Sequence, residues 1–188
     1  GNGKWTSRGG SYDLRYAYTG NQSYKLSAGV TISKSGLTSG KTYIVSYWSR
    51  SGSLTVNSGS GTAGITRNGW TYYQHSFTGA TSVSITGTTS IDELRLYPSG
   101  ALMSSFTYQP GVGITTRCDA NGVVNYYEYD TYSRLMLVRD ENQRVLKKIC
   151  YNFYGQAESC AYYLSAARDS SIRRNNCSAG YIGSLVTY

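Results

Sequence analysis

The chain has 188 residues, with 22 Gly, 20 Tyr, only 2 Pro and a formal net charge of +8. Tyr, Thr, Val and Ile suit pleated, half-buried surfaces while Gly, Asn and Ser suit turns, so the composition predicts an all-β protein. No apolar run approaches the roughly 20 residues that cross a bilayer, and the charge is dispersed rather than gathered into the stripe nucleic-acid binders carry, so neither a membrane span nor a nucleic-acid partner is expected. Residues 1–97 hold nine basic and three acidic residues, and the remainder nine and seven. An anionic glycan or a negative cell surface suits such an excess better than DNA. The four cysteines, Cys118, Cys150, Cys160 and Cys177, lack the close spacing of a zinc site and read as disulfides of an exported protein. The chain opens at Gly1 without a signal-peptide pattern and closes on strand-like Ser-Leu-Val-Thr-Tyr, as expected of a segment of a longer protein.

In chain order, strands are predicted in Gln22–Ala28, Lys41–Arg50, Gly52–Gly59, Gly69–Thr78, Thr81–Thr88 and Ser90–Pro98, short runs bounded by turn residues at the spacing of a sandwich. Pro98-Ser99-Gly100 breaks the pattern and places a boundary, giving a sandwich over 1–98. In Lys41–Arg50, Tyr43, Val45 and Tyr47 share one face, and Ile44, Ser46, Trp48 and Arg50 the other. In Gly69–Thr78, Tyr73, His75 and Phe77 oppose Tyr72, Gln74 and Ser76. The mixed face carrying Trp48, Arg50, Tyr72 and Gln74 admits two readings. Exposed, it is a sugar platform of aromatic rings with polar neighbours; covered, it is the floor of a second layer. Asn57–Gly64 is Gly-rich but no Lys-Ser or Lys-Thr follows it, so it reads as a flexible loop, not a phosphate cradle. His75, the single histidine, falls on the core face, which leaves no base for a Ser/His/Asp arrangement.

Beyond the boundary the chain repeats. Tyr108 to Tyr129 and Asp119 to Asp140 are each 21 residues apart, and Tyr129 to Tyr151 is 22. A fixed period of this size signals stacked supersecondary units. Each unit opens on an aromatic strand, runs through an apolar strand (Ile114–Cys118, Leu135–Arg139) and turns at Asp-x-Asn. Glu128, Asp130 and Asp140 therefore read as turn and rim residues, not as the facing carboxylates of a glycosidase, and no catalytic residue is assigned. The expected fold is a jelly-roll β-sandwich followed by a short β-hairpin repeat block over 99–160.

From Tyr18 to Pro98, Tyr-Thr-Gly-Asn, Gly-Lys-Thr-Tyr, Gly-Trp and Ile-Asp-Glu fall in the order that resembles carbohydrate-binding modules of the galactose-binding-like jelly-roll type. The resemblance implies a two-sheet sandwich and a structural calcium at Asp92, with backbone oxygens from Thr19 to Ser23. Tyr129, Asp130, Arg134, Leu135, Asp140 and Gly155 resemble the Tyr-Asp repeats of the recombination-hotspot (RHS) family. Ser133 stands where that family usually has Gly, and Gln109 and Asn152 where it has Asp. Asn175 to Cys177 and Gly180 to Ser184 resemble the start of a small domain of unknown function in large secreted Bacteroidota proteins, here 161–188. Together these resemblances imply a secreted or cell-surface protein, a type IX secretion cargo, with a glycan or the secretion machinery as partner. The preferred disulfides are Cys118–Cys150, linking neighbouring hairpins, and Cys160–Cys177, with Cys150–Cys160 as the alternative. Two functions follow: a non-catalytic carbohydrate-binding or adhesive module, and a structural segment with no ligand of its own. Exposure of Trp48 and Tyr72 favours the first, and their burial under the repeat block favours the second.

Overall fold

The computed structural model describes residues 4–151 and the strand Ser184–Thr187. Among these residues every regular element is a strand, and no helix is long and apolar enough to cross a membrane. The strands are β1 (Thr6–Arg8), β2 (Ser11–Asp13), β3 (Ser23–Lys25), β4 (Thr31–Ser35), β5 (Thr42–Ser49), β6 (Thr55–Val56), β7 (Gly59–Ser60), β8 (Thr62–Arg67) and β9 (Trp70–Thr78). They continue as β10 (Ser82–Thr86), β11 (Ser90–Pro98), β12 (Ser105–Gln109), β13 (Gly113–Cys118), β14 (Val124–Tyr129), β15 (Leu135–Arg139), β16 (Val145–Cys150) and β17 (Ser184–Thr187). All pair antiparallel, in three sheets: an outer sheet β1-β4-β10-β6-β7, a central sheet β2-β3-β11-β5-β9-β8, and a hairpin sheet running β12 to β17 in sequence order.

Alternation builds the first core. Val45 and Tyr47 of β5 point to the outer sheet and meet Leu26, Ile32, Leu54, Val56, Val83, Ile85 and Ile91. The pairing of β5 with β9 is unbroken from Thr42↔Thr78 to Ser49↔Thr71, so the two long strands keep one face inward throughout. His75 lies on this core face as its position predicts, 5% exposed, with Nε2 2.8 Å from the Tyr47 hydroxyl. Burial lowers its pKa below 6.5.

The structure corrects one sequence expectation and adds two features that the sequence reading did not include. Asn57–Gly64 is not a flexible loop: Asn57 and Ser58 adopt φ of 46° and 65° and close the β6–β7 hairpin, and β8 begins at Thr62. Positive φ at both central residues is the two-residue turn whose twist matches its strands, and Asn68-Gly69 repeats it between β8 and β9. Secondly, Thr31–Ser35, which has only Ile32 as an apolar anchor, is a strand because β1 and β10 flank it on both sides. Thirdly, β11 does not alternate cleanly. Asp92 pairs with Trp48 and Arg95 with Ser46, so Glu93 and Leu94 together oppose Tyr47 in a bulge, with Glu93 at φ 53°. The bulge sends Ile91, Leu94 and Leu96 to the first core and leaves Asp92, Glu93 and Arg95 bonded on the reverse side.

The hairpin sheet is made by one turn used three times. The amides of Asn121 and Val123 bond Asp119 Oδ1, those of Tyr132 and Arg134 bond Asp130 Oδ1, and those of Asn142 and Arg144 bond Asp140 Oδ1, all at 2.8–2.9 Å. Each turn places its fourth residue at positive φ: Gly122 at 79°, Ser133 at 59°, Gln143 at 64°. Two of the three tyrosines that mark the period share one job. Tyr129 Oη donates to the Ile114 carbonyl at 2.8 Å, and Tyr151 Oη to the Leu135 carbonyl at 3.0 Å. Each ring thus ties its strand to the apolar strand of the unit before. Residues Asn152, Gly155, Cys160, Cys177 and the expected C-terminal domain, β17 apart, lie outside the described residues.

Candidate functional site

The reverse face of the central sheet carries every residue predicted to bind sugar, and its centre, Trp48, is covered. Trp48 is 1% exposed, and its ring stacks on Tyr18 at 3.9 Å and 22°. Trp70, Cys118 and Val124 complete a second buried cluster, with Tyr72 and Tyr126 packed against it. The first Asp turn lies directly above: a Cβ on Gly122 would sit 3.6 Å from Tyr72 and 3.7 Å from Trp48. Tyr72 and Gln74 are half-buried on this covered face. Arg50 is exposed, with its guanidinium 4.2 Å from the Tyr16 ring centre and 5.6 Å from that of Trp70. Of the predicted platform, Trp48 and Tyr72 therefore floor a junction, Gln74 is half-buried and Arg50 is exposed. An apolar strand face cannot stay wet when a second sheet is tethered to it by the few residues between β11 and β12.

The polar part of the junction surrounds Arg95. Its Nη1 donates to the Asp119 carbonyl at 2.7 Å, and its Nη2 to Glu93 Oε2 at 3.2 Å and to Ser105 Oγ at 3.1 Å. Ser105 Oγ also donates to Glu93 Oε2, and Thr19 Oγ1 to Glu93 Oε1 at 2.7 Å. The side chains of Arg95 and Glu93 are only 3% and 6% exposed. A buried ion pair holds its place only when its remaining donors and acceptors are bonded, and here Asp119 and Ser105 of the hairpin sheet supply that bonding. Tyr126 Oη donates to the Tyr18 carbonyl at 2.8 Å. At the far end, Arg67 forms an ion pair with Glu141, and Asn68 Nδ2 donates to the Glu141 carbonyl at 3.1 Å. The β8–β9 hairpin thereby grips the third Asp turn.

Asp92 does not present a calcium site. Its Oδ2 accepts the amides of Tyr18 and Thr19 at 2.8 and 3.0 Å, and its Oδ1 accepts that of Glu93 at 2.8 Å. Calcium needs six to eight oxygens; Asp92 is surrounded by N–H donors, so the residues present do not fit the ion. Burial pushes its carboxyl up to about 6 against the pull of those three amides. The preferred Cys118–Cys150 disulfide is also corrected. Cys118 is a free, buried thiol on the face that packs against the central sheet, and burial pushes it up to about 12. Cys150 is disulfide-bonded, and its partner lies outside the described residues.

Glu128 pairs with Arg139 across β14 and β15, and Asp130 with Arg134, so the charges of the hairpin sheet serve the hairpins. Among the described residues no group of three or more His, Cys, Asp or Glu is placed to hold a metal. Sequence reasoning missed Tyr18, Trp70 and Arg95. One signal was available for Arg95: in Ile-Asp-Glu-Leu-Arg-Leu the apolar residues fall at Ile91, Leu94 and Leu96, a skipped beat in the alternation that marks a bulge. No protein-family model matches the chain, and no curated protein is detectably similar to it.

Proposed function

We propose that this chain is a structural segment: a jelly-roll-like sandwich that seats the first strands of a Tyr-Asp-type hairpin sheet and so fixes the direction in which that sheet extends. The reading places the segment in a large exported or cell-surface protein of the RHS-repeat kind, with the secretion machinery as a partner of the whole. One observation carries it. Trp48 and Tyr72 lie under the Gly122 turn, and the buried Arg95–Glu93 pair is completed by Asp119 and Ser105 of the other sheet. A hairpin sheet of a few strands has little core of its own, and a second cluster shared with the sandwich supplies it. The adhesive reading centred on Trp48 loses its platform by the same contacts.

Urea unfolding tests this. Tryptophan fluorescence, which samples the junction through Trp48 and Trp70, and far-ultraviolet circular dichroism, which samples all strands, are expected to give one coincident transition. Val124→Asp, which sets a charge into the junction, is expected to split it in two. Two separate transitions in the unaltered chain would refute rigid seating. A glycan array whose signal is abolished by Trp48→Ala, with the single unfolding transition intact, would restore the adhesive reading.

A further inference from the structure

One bend of the sandwich turns apolar and basic side chains into water instead of burying them. β2 ends on Asp13, whose Oδ1 accepts the Arg15 amide at 3.0 Å, and this short turn projects Leu14 outward, 74% exposed. The Arg15 side chain is 78% exposed, and Tyr16 is exposed beside it. The bend is anchored at both ends. Asp13 pairs with Ser23 in β2–β3, while the Tyr18 amide is held by Asp92 and the Tyr18 ring by Trp48. Between those anchors the Tyr16 ring centre lies 4.2 Å from the Arg50 guanidinium, and that of Trp70 lies 5.6 Å from it. A Cβ on Gly69 would sit 3.4 Å from Arg50 Nη1, so the β8–β9 turn closes against the same guanidinium.

The charge here is unbalanced. Among the described residues no carboxylate pairs with Arg50. Glu141, the acid that reaches the adjoining Asn68-Gly69 turn, is paired with Arg67. Asp13 is withdrawn from the surface and meets Arg15 only at 3.6 Å, and a pair so exposed holds its arginine weakly. Stacking occupies the flat face of a guanidinium and leaves its N–H edge for oxygen acceptors. The bend thus combines a leucine that gains by leaving water, a tyrosine suited to an apolar–aqueous boundary, and two cations. Three kinds of partner carry the opposite charge. An acidic protein forms a stable contact over roughly 1,200–2,000 Å², more than one bend of three residues supplies. A nucleic acid is held by a stripe of phosphate contacts. A lipid surface needs only an apolar tip that enters the headgroup layer with cations beside it.

We propose that this bend docks the protein on the surface of a membrane containing anionic lipid, with Leu14 in the headgroup layer, Tyr16 at its boundary, and Arg15 and Arg50 on lipid phosphates. The chain lies on such a surface and does not cross it. The proposal does not rest on the seating of the hairpin sheet. An internal control exists: Leu102 is still more exposed, at 91%, but no Lys or Arg lies between Arg95 and Arg117.

The test is co-sedimentation of the full chain with vesicles of phosphatidylcholine alone and of phosphatidylcholine mixed with phosphatidylglycerol. Saturable binding to the anionic vesicles is expected, weakening as salt is added, with the neutral vesicles at least about tenfold weaker. Arg15→Gln and Arg50→Gln are each expected to weaken binding about fivefold, and Leu14→Ser about tenfold. Leu102→Ser is expected to leave it unchanged. All four side chains are exposed, and an unaltered thermal transition checks that each variant is folded. Leu14→Trp places a reporter at the tip, and lipids brominated on their acyl chains are expected to quench its emission beyond any quenching seen in the unaltered chain. No saturable binding, equal binding to both kinds of vesicle, a Leu102→Ser loss as large as that of Leu14→Ser, or no added quenching in Leu14→Trp would each overturn the proposal. So would polyglutamate that binds as tightly as the anionic vesicles and is lost in Arg50→Gln, which would make an acidic polypeptide the occupant.

Discussion

The two faces of the central sheet are buried by different chemistry. Toward the outer sheet, β5 and its neighbours present Val45, Ile91 and Leu26 to Ile32, Val56 and Ile85, an aliphatic core that includes the hydrogen-bonded Tyr47–His75 pair. Toward the hairpin sheet, the same strands present Trp48 and Trp70, the Arg95–Glu93 ion pair and Asp92. Aliphatic burial is strong but non-directional and tolerates repacking at constant volume. Fixed aromatic stacks and charges bonded across a junction tolerate little sliding. The contrast teaches that one face assembles a sandwich while the other sets a register between two units. The hairpin sheet needs that help, since its turns are closed by local Asp bonds and, among the described residues, only Cys118, Val124 and Cys150 of its strands are fully enclosed.

The largest expected effect breaks the junction while sparing the sandwich. Trp48→Ala removes the centre of the second cluster and is expected to cost about 3–5 kcal/mol, read as a lowered urea midpoint and as proteolytic cutting between β11 and β12. A fall confined to overall stability, with the connection still protected, would show that Trp48 serves the sandwich alone. Arg95→Ala strands the buried Glu93 carboxylate and is expected to cost about 3–5 kcal/mol. Changing both residues, Arg95→Met with Glu93→Gln, is expected to be much milder. A loss in the double variant equal to the sum of the losses of the two single variants, by urea titration, would mean that the pair carries no coupling.

Acidity sharpens the comparison because Asp92 on one face and His75 on the other are shifted so that they act on stability in opposite directions. Asp92, on the junction face, has its folded pKa raised from 3.8 to about 6. Its stabilising contribution is therefore present below pH 3.8 and lost as pH rises through about 6. His75, in the aliphatic core, has its pKa lowered from 6.5. Its contribution is present above pH 6.5 and lost as pH falls through the lowered folded value. Urea midpoints measured against pH are expected to lose the first slope in Asp92→Asn and the second in His75→Gln. Retention of either slope in its variant would mean that another group carries it.

The smallest expected effect lies in the repeated turn. Ser133 occupies a φ of 59° where the equivalent residue of the first turn is Gly122. Relief of the left-handed strain, about 1–2 kcal/mol, is partly offset by the greater chain entropy that glycine loses on folding. Ser133→Gly is expected to stabilise the chain by about 0.5 kcal/mol, seen as a small rise in midpoint, with Gln143→Gly behaving alike.

The elements legible in the sequence were those governed by near neighbours. The alternation of Tyr43, Val45 and Tyr47 predicted the core face of β5, and Ile114–Cys118 and Leu135–Arg139 fell on β13 and β15. Asp119, Asp130 and Asp140 are turn residues because an Asp side chain reaches amides only a few residues ahead. The site was far less legible. Trp48, Arg50, Tyr72 and Gln74 do share a face, as the period of two requires, yet nothing in that period says whether water or another sheet lies beyond it. Cys118 was paired with Cys150 as a link between neighbouring hairpins, while its surroundings are Trp48 and Val124.

By itself the sequence determined an all-β chain, the inward face of its longest strands and the places where its hairpins turn, because those follow from side-chain period and from bonds spanning two to four residues. Only the tertiary structure decided that the aromatic reverse face is roofed by the Gly122 turn, that Asp92 is walled by amides, and that Arg95 finds its acceptors on Asp119 and its partner Glu93. Each of those depends on which distant strand arrives at a surface, and burial is a property of the pair of surfaces that meet.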